Sequence, residues 1–343
     1  FRAPNLVQVN QAQVARFGSR IDAVYKYITE NNTTTASGMD SDSKYTIQRF
    51  ATGAENLQSE ESTNSSIGFV IQPEQLEGLT ITYDAWKIEK DKTIGLFGRD
   101  NHTVLDLAML IENGASNCDS FTGNSAVLRD TDELDDGVLA LFATAGICPV
   151  GQAYRVTDEY INMAKRTLEG QDVGVNYNFD TDLGTFRFRY NATFTDTFKQ
   201  VPTGNFSTIQ NAQASGAIPD YIVLKGFGDL LGIDGNYDEK HSMKLSWRKG
   251  DWGASLSGLK KGSFTQSSLT LGDGTKYNIP SMTTMDASVY YKFKVGDGSA
   301  RIKFAVKNLE DTRAPTADRF FGFFADAHQD YGRNYYLSLK VDM

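Results

Sequence analysis

The sequence has no apolar run of about 18 residues or more, and it is poor in proline and histidine, with 7 and 3 residues in a chain of 343. The missing runs exclude a transmembrane helix, although the strands of a membrane barrel hide their apolar face in alternation. A net charge of -9 and the lack of a basic patch argue against nucleic acid as a partner. Few prolines, 31 glycines and 12% aromatic residues favour a β-rich protein with many turns.

Motifs for catalysis are also missing. The three histidines, His102, His241 and His328, are far apart, and no zinc-protease, nucleophile-elbow or phosphate-loop motif occurs. The acidic stretch "DTDELDDG" at 130–137 has oxygen ligands for a divalent cation, but it lacks EF-hand spacing and favours a solvated helix start. We therefore predict a protein that is not an enzyme, with no catalytic residues, no metal site and no cofactor.

Strict alternation of apolar and polar residues predicts about nine β-strands. They cover 58–72, 77–94, 165–180, 183–199, 239–250, 252–264, 280–295, 299–309 and 331–343. The apolar set of the last strand is Tyr335, Leu337, Leu339, Val341 and Met343. Its polar set includes Ser338 and Lys340. Several strands exceed ten residues, which is long for a soluble strand and enough to cross a bilayer when tilted.

The connections between these strands alternate between short and long. Short ones lie near 73–76, 181–182, 250–251 and 296–299, and the long ones are 95–164, 200–238, 265–279 and 310–330. All short turns therefore fall at one end of the sheet, as in bacterial outer-membrane barrels with short periplasmic turns and long extracellular loops. A soluble β-sandwich would have this asymmetry only by chance.

The face opposite the apolar one is rich in basic side chains. They are Arg187, Arg189, Lys244, Arg248, Lys292, Arg301, Lys303, Lys307 and Lys340. A lysine or arginine that faces lipid at the midplane costs roughly 2–4 kcal/mol, so these side chains must face water. A protein core against the apolar face would produce the same pattern, and alternation alone does not distinguish lipid from core.

The segment 95–164 has the pattern of helices. Apolar spacing in "TVLDLAMLIENG" predicts a helix that stops at Gly114, and "DTDELDDGVLALFATAG" predicts a second with an acidic first turn. A third helix is predicted at "VTDEYINMAKRT", 156–167. Cys118 and Cys148 lie in this segment, and export would favour a disulfide over two free thiols.

Five short motifs resemble those of TonB-dependent outer-membrane receptors, in the order that this family has them. They are "FRAPNL" at 1–6, "ENLQSEESTNSSIGF" at 55–69, "YNIPSMTTMDASVYYKF" at 277–293, "VKNLEDTRAP" at 306–315 and "GRNYYLSLKVDM" at 332–343. Two positions depart from the family: Ser59 replaces a usual proline, and Met343 replaces the usual terminal Phe or Trp. The segments 95–164 and 200–238 match nothing in the family.

The resemblance implies the C-terminal nine or so strands of a 22-stranded transmembrane β-barrel in the outer membrane of a Gram-negative bacterium. Residues 1–57 would be an extracellular loop segment after a missing strand, and 58–343 the barrel strands. The first strands, the N-terminal plug and the TonB box would be absent. Implied partners are outer-membrane lipid and lipopolysaccharide, TonB through the plug, the barrel-assembly machinery through the last strand, and a small solute or oligosaccharide.

The resemblance also implies TonB-dependent uptake of a scarce solute, either a siderophore, cobalamin or an oligosaccharide. Alternatives are a passive porin-type or structural barrel and a soluble carbohydrate-binding β-protein. Two clusters in the long loops are candidate ligand contacts, since exposed aromatic rings can stack on a sugar or an aromatic ligand. They are Phe97, Arg99 and His102 in the first loop and Arg319, Phe320, Phe321, Phe323, Phe324 and His328 in the last. Packing of loop against loop is the alternative for these side chains.

Overall fold

The computed structural model describes residues 2–10, 14–30, 44–121, 123–271, 275–319 and 321–342. The predictions for Phe320 and Met343 fall outside these residues. The strands, β1 to β19 in chain order, are Val14–Arg16, Ser19–Ile21, Lys44–Thr46, Gln48–Thr52, Glu61–Ile71, Leu79–Asp91, Thr93–Leu96, Val127–Arg129, Ala153–Met163, Arg166–Thr181, Gly184–Gln200, Gly228–Asp229, Glu239–Lys249, Trp252–Lys261, Phe264–Thr270, Lys276–Ile279, Met282–Val295, Gly298–Lys307 and Asn334–Asp342. The helices, α1 to α5, are Leu6–Asn10, Ala23–Glu30, Arg99–Asn113, Asp136–Ala145 and Asn205–Ala214, with a single 3-10 turn at Cys118–Ser120.

The fold is mostly β, with 50% strand and 16% helix, which confirms the predicted class. All nine predicted strands are present as β5, β6, β10, β11, β13, β14, β17, β18 and β19, and they are neighbours in that order in one sheet. Links of two residues join β10 to β11, β13 to β14 and β17 to β18, as the turn residues predict. The predicted loop 265–279 differs, because most of it forms the antiparallel pair β15 and β16.

The chain divides into two compact units. The first unit comprises Phe1–Thr63, Glu89–Arg166 and Gln200–Gly228, and the second unit comprises Asn64–Ile88, Thr167–Lys199 and Asp229–Met343. The second unit contains most of the long-stranded sheet, and the first unit contains α1 to α5 and a smaller sheet. Among the described residues, no helix is both long and apolar enough to cross a membrane.

The apolar face of the long-stranded sheet is continuous and uncovered. Register pairs Ile302 with Leu339 and Phe304 with Leu337 across β18 and β19, and Val289 with Phe304 across β17 and β18. Leu337 and Leu339 are 72% and 63% exposed. None of the apolar core clusters of the described residues includes these side chains. A soluble protein would cover such a face, so its exposure favours contact with lipid.

The first unit packs its helices around an apolar core. Fully buried Leu107 and Leu110 of α3, Ile28 of α2 and Phe142 of α4 belong to this core. Its sheet has the order β1, β4, β9, β7, with β8 paired to β9 as well. The predicted helices near 104–114 and 130–146 are confirmed as α3 and α4. Helix α3 stops at its C-cap residue Gly114. Asp135 caps the first turn of α4 by accepting a hydrogen bond from Val138 N at 2.9 Å.

The prediction of a third helix at 156–167 is wrong. Residues 153–163 form β9, which pairs with β4 in parallel and with β7 and β8 in antiparallel register. Val156 and Asp158 are both fully buried on one face of this strand. Three neighbouring strands satisfy its backbone hydrogen bonds, and this tertiary context outweighs the helix-like spacing of the segment.

A buried charge cluster links four elements of the first unit. Arg129 of β8 donates to Asp22, which precedes α2, at 2.9 Å and to Asp106 of α3 at 2.8 Å. Tyr45 of β3 also donates to Asp22. All three side chains of the ion pairs are at most 11% exposed. Burial raises the pKa of Asp106. For Asp22 burial acts in the same direction, but the attraction of Arg129 together with hydrogen bonds from Arg129, Tyr45 and the backbone of Val24 lowers the pKa. Both buried carboxylates therefore depend on the arginine as their counter-charge.

Cys118 and Cys148 form a disulfide, as predicted, across a separation of 30 residues in the first unit. We expect reduction to lower the free energy of unfolding of this unit by roughly 3–4 kcal/mol, because the unfolded chain regains the entropy that a closed loop of this length removes. Thermal unfolding with and without a phosphine reductant measures the change. The Cys118→Ser, Cys148→Ser variant should not respond to reductant, and an unchanged wild-type transition after verified reduction would contradict the expectation.

Candidate anion-binding site

A cavity of about 290 Å³ in the first unit is lined by four basic side chains. Arg20 comes from β2, Arg49 from β4, Arg99 from the start of α3 and Lys225 from the segment after α5. Asp100 is the only acidic side chain among the lining residues. The lining therefore has a net positive charge, although the protein as a whole carries -9. Such a concentration of positive charge attracts anions.

The N-terminus of α3 opens into the same cavity. Gly98, at the N-cap position, has a φ of 97° and provides no side-chain cap, and Gly98 to Asn101 all line the cavity. The first backbone bond of this helix runs from His102 N to Gly98 O at 3.0 Å. The first-turn N–H groups before it have no partner within the helix, and with the helix dipole they favour a bound anion.

The ion pairs of the cavity hold two of its cations at its wall. Asp100 Oδ2 lies 2.8 Å from Lys225 Nζ, and Asp100 Oδ1 lies 3.7 Å from Arg20 Nε. The buried Asn101 fixes the backbone of Lys225 in both directions, donating to its carbonyl at 2.8 Å and accepting from its N–H at 3.2 Å. The side chains of Lys225 and Arg20 remain 42% and 47% exposed, so a ligand can reach them.

Arg99 supplies a charge that the protein itself compensates only in part. Burial lowers the pKa of Arg99 to about 10, and repulsion from Arg20 and Arg49 adds to the shift. Its guanidinium donates to the carbonyl of Ile47. The charged form is thus less favourable here than in water, and an anion in the cavity would offset that cost. Among the described residues, no group of three or more His, Cys, Asp or Glu side chains is arranged to hold a metal ion.

The chain matches the family model described as "TonB dependent receptor-like, beta-barrel" over residues 1–309. This chain belongs to the TonB-dependent receptor family. Members are β-barrel proteins of the outer membrane that act as transporters and not as enzymes. Membership excludes the soluble carbohydrate-binding alternative and agrees with the uncovered apolar face of the sheet.

Two solved receptor structures have a similar fold. The siderophore receptor PirA from Acinetobacter baumannii has a TM-score of 0.52 and 14% identity over 98% of this chain. A mutant of the ferric enterobactin receptor PfeA from Pseudomonas aeruginosa has a TM-score of 0.51 and 15% identity over 98% of this chain. The present chain covers 37% and 36% of those receptors, so it spans little more than a third of their length. No curated protein matches its sequence. At these identities the likeness concerns the fold.

In this TonB-dependent receptor chain, the first predicted ligand cluster lies only partly at the basic cavity. Phe97 and Arg99 line it, but both are more than 90% buried. Phe97 packs edge-on against His102 at 4.8 Å and Phe206 at 4.7 Å. His102 Nε2 lies 3.3 Å from Asp158 Oδ1, away from the cavity lining. Of the three, Arg99 contributes charge to the site.

The second predicted cluster lies in the second unit and does not form one surface. Phe324 is buried against Phe264, and the Arg319 guanidinium lies 4.2 Å from the Phe324 ring. Phe321 is 67% exposed, with its ring 6.2 Å from that of Phe323. His328 is fully buried and stacks on Phe264 at 5.6 Å. These side chains therefore divide between a small core and the surface.

Sequence reasoning missed three of the four cations. Arg20, Arg49 and Lys225 are single basic residues, two of them in the segment 1–57 and one in 200–238, and no motif marks them. They come together because β2, β4 and the segment after α5 all meet the start of α3. The one available signal was Gly98 before the helical pattern of α3, which marks an uncapped helix start.

Proposed function

We propose that this chain is the C-terminal barrel part of a receptor that imports an anionic iron chelate of the siderophore class across the outer membrane, with energy from TonB. Family membership supports the coupling to TonB. The single observation that carries the substrate class is the cavity of Arg20, Arg49, Arg99 and Lys225 at the start of α3. Ferric chelates with catecholate or carboxylate groups are negatively charged and match it, whereas cobalamin and most oligosaccharides have no comparable charge.

The proposed arrangement places residues 1–57 and the loops 95–164, 200–238, 265–279 and 310–330 outside the cell. The first-unit cavity would then meet solute arriving from the medium. The nine long strands would form part of a 22-stranded barrel, and the plug and TonB box would lie in a part of the receptor outside this chain. The last strand would contact the barrel-assembly machinery during insertion, and the apolar face would contact lipid and lipopolysaccharide.

Uptake of radioactive iron by cells tests this function. Cells that produce the full receptor should accumulate iron from an anionic tricatecholate chelate, and deletion of the receptor or of TonB should each abolish that accumulation. A neutral trihydroxamate chelate is the matched control. Uptake that persists without TonB would favour the porin-type alternative, and equal uptake with and without the receptor would contradict the proposal.

The lipid-facing assignment of the last strand gives a second test. We expect Leu337→Lys to lower the free energy of unfolding of the receptor in lipid vesicles by about 2–4 kcal/mol, because Leu337 is central in β19 and its new charge would face the bilayer. Urea titration in vesicles measures it. Ser338→Glu is the control, since it adds a charge one residue along, on the polar face opposite Lys303, and should change stability by less than about 1 kcal/mol. Equal effects of the two substitutions would contradict the assignment.

A further inference from the structure

The second unit contains a larger cavity, of about 600 Å³, on the polar face of the long-stranded sheet. It lies at the ends of β14, β17, β18 and β19 that carry the long loops, and residues 328–332 complete its wall. This volume is within the range of pockets for small molecules. None of its lining residues lines the basic cavity, and the proposed binding of an iron chelate does not involve them.

Four neutral polar side chains that line this cavity are uncommitted. Ser257, Thr284, Gln329 and Tyr331 line it, and none of their side chains has a hydrogen-bond partner in the part of the chain that the structure describes. They supply hydroxyl and amide groups that can both donate and accept. A ligand with several hydroxyl groups would satisfy this mixture, while a purely anionic or cationic ligand would satisfy half of it.

The charges around the cavity are nearly balanced and largely engaged. Asp286 accepts from the backbone N–H of Asn308 at 2.9 Å, and Lys261 donates to the carbonyl of Ala327. Lys307 lies 5.2 Å from the centre of the Tyr336 ring. Two lysines and one aspartate leave a small net charge, which distinguishes this cavity from the basic one in the first unit.

A buried histidine in the wall of the cavity has unsatisfied hydrogen-bonding groups. His328 is 1% exposed, and both its ring nitrogens lack a hydrogen-bond partner among the described residues. Burial, with Lys261 nearby, lowers the pKa of His328, so the ring is neutral and offers one donor and one acceptor. Leaving such groups unpaired in a protein interior is costly, and native structures usually supply water or a ligand to them.

Two tyrosines border the same space. Tyr331 is 80% exposed, and Tyr336 projects from β19 on the polar face of the sheet. An exposed aromatic ring beside hydroxyl and amide groups is the arrangement that binds a sugar, because the ring packs on its C–H face while the polar groups meet its hydroxyls. We propose that this cavity is a second ligand site, which binds a polyhydroxylated ligand the size of one or two sugar units, with Tyr331 as its stacking ring and His328 as a buried hydrogen-bonding group.

Saturation-transfer NMR on the full receptor in detergent tests the site, with glucose, N-acetylglucosamine and citrate as probes. Both sugars should give transfer signals, and Tyr331→Ala should weaken the apparent affinity about tenfold. His328→Phe keeps the stack on Phe264 and removes both nitrogens, so it should weaken sugar binding without loss of thermal stability. Tyr154→Ala, which removes an exposed tyrosine of the first unit, is the matched control and should leave the signals unchanged.

Added lipopolysaccharide distinguishes the sources of the ligand. Displacement of the sugar supports an envelope glycan as occupant, and unchanged sugar signals support a free sugar from the medium. Absence of sugar signals, or signals that neither Tyr331→Ala nor His328→Phe alters, would overturn the proposal. Citrate binding that is lost in Lys307→Gln, with no sugar binding, would also overturn it, since the cavity would then be an anion site.

Discussion

Replacing Arg129 with methionine is expected to destabilise the first unit by about 3–5 kcal/mol. The arginine is the counter-charge of both Asp22 and Asp106, which are 0% and 4% exposed in their side chains. Methionine keeps much of the volume but leaves two carboxylates buried and close together without a counter-charge. Loss of one partner from a buried ion pair costs far more than the pair contributes, because the remaining charge stays desolvated.

Thermal unfolding followed by near-ultraviolet circular dichroism, together with protease sensitivity of residues 89–166, measures this effect. Lys92→Met is the matched control. Lys92 pairs with Glu61 at 3.0 Å in the same unit, but both side chains are exposed, so its removal should cost less than about 1 kcal/mol. If Arg129→Met and Lys92→Met unfold at the same temperature, the buried cluster does not stabilise the unit as described.

The double substitution Arg20→Gln, Lys225→Gln is expected to weaken binding of an anionic chelate about 10- to 100-fold. A hydrogen bond to a charged group contributes about 1.5–3 kcal/mol, and each value is reduced here because solvent screens these half-exposed side chains. The substitution also leaves the Asp100 carboxylate without its two partners, so it would repel an anion in the cavity. The loss should be smaller at high salt, where screening already weakens the attraction.

Equilibrium binding to the purified receptor, by quenching of its tryptophan fluorescence, measures the affinity. The control is Arg2→Gln, Lys92→Gln, which also removes one arginine and one lysine from ion pairs of the first unit, with Glu60 and Glu61. It changes the net charge by the same amount and should leave the affinity within about twofold. An equal loss in both double variants would mean that overall charge, and not the cavity, governs binding.

The sequence predicts the long strands well because their period of two is strict and their turns have Gly and Asp. The helices α3 and α4 follow from apolar spacing with clear end signals at Gly114 and Asp135. The conformation of residues 153–163 does not follow from local spacing, because the pairing of β9 with three strands decides it. The basic cavity was unpredictable for a related reason: its cations are single residues from distant segments that only the tertiary fold brings together.

The candidate aromatic residues also show that burial cannot be predicted from the local sequence. Phe97 and Phe324 were predicted as ligand contacts because they lie in long polar loops, yet Phe97 is buried in the helical core of the first unit and Phe324 in a small core of the second. Long loops that fold into compact units need their own apolar side chains, and composition alone cannot separate these from exposed rings.

The most direct test of the basic cavity as a chelate site is the affinity of the full receptor for an anionic tricatecholate iron chelate and for a neutral trihydroxamate chelate, each measured at low and high salt. We expect that the anionic chelate binds more tightly, that its affinity falls as salt rises, and that Arg20→Gln, Lys225→Gln removes most of the difference between the two chelates. Equal affinities for the two chelates, or an affinity for the anionic chelate that does not depend on salt, would contradict it.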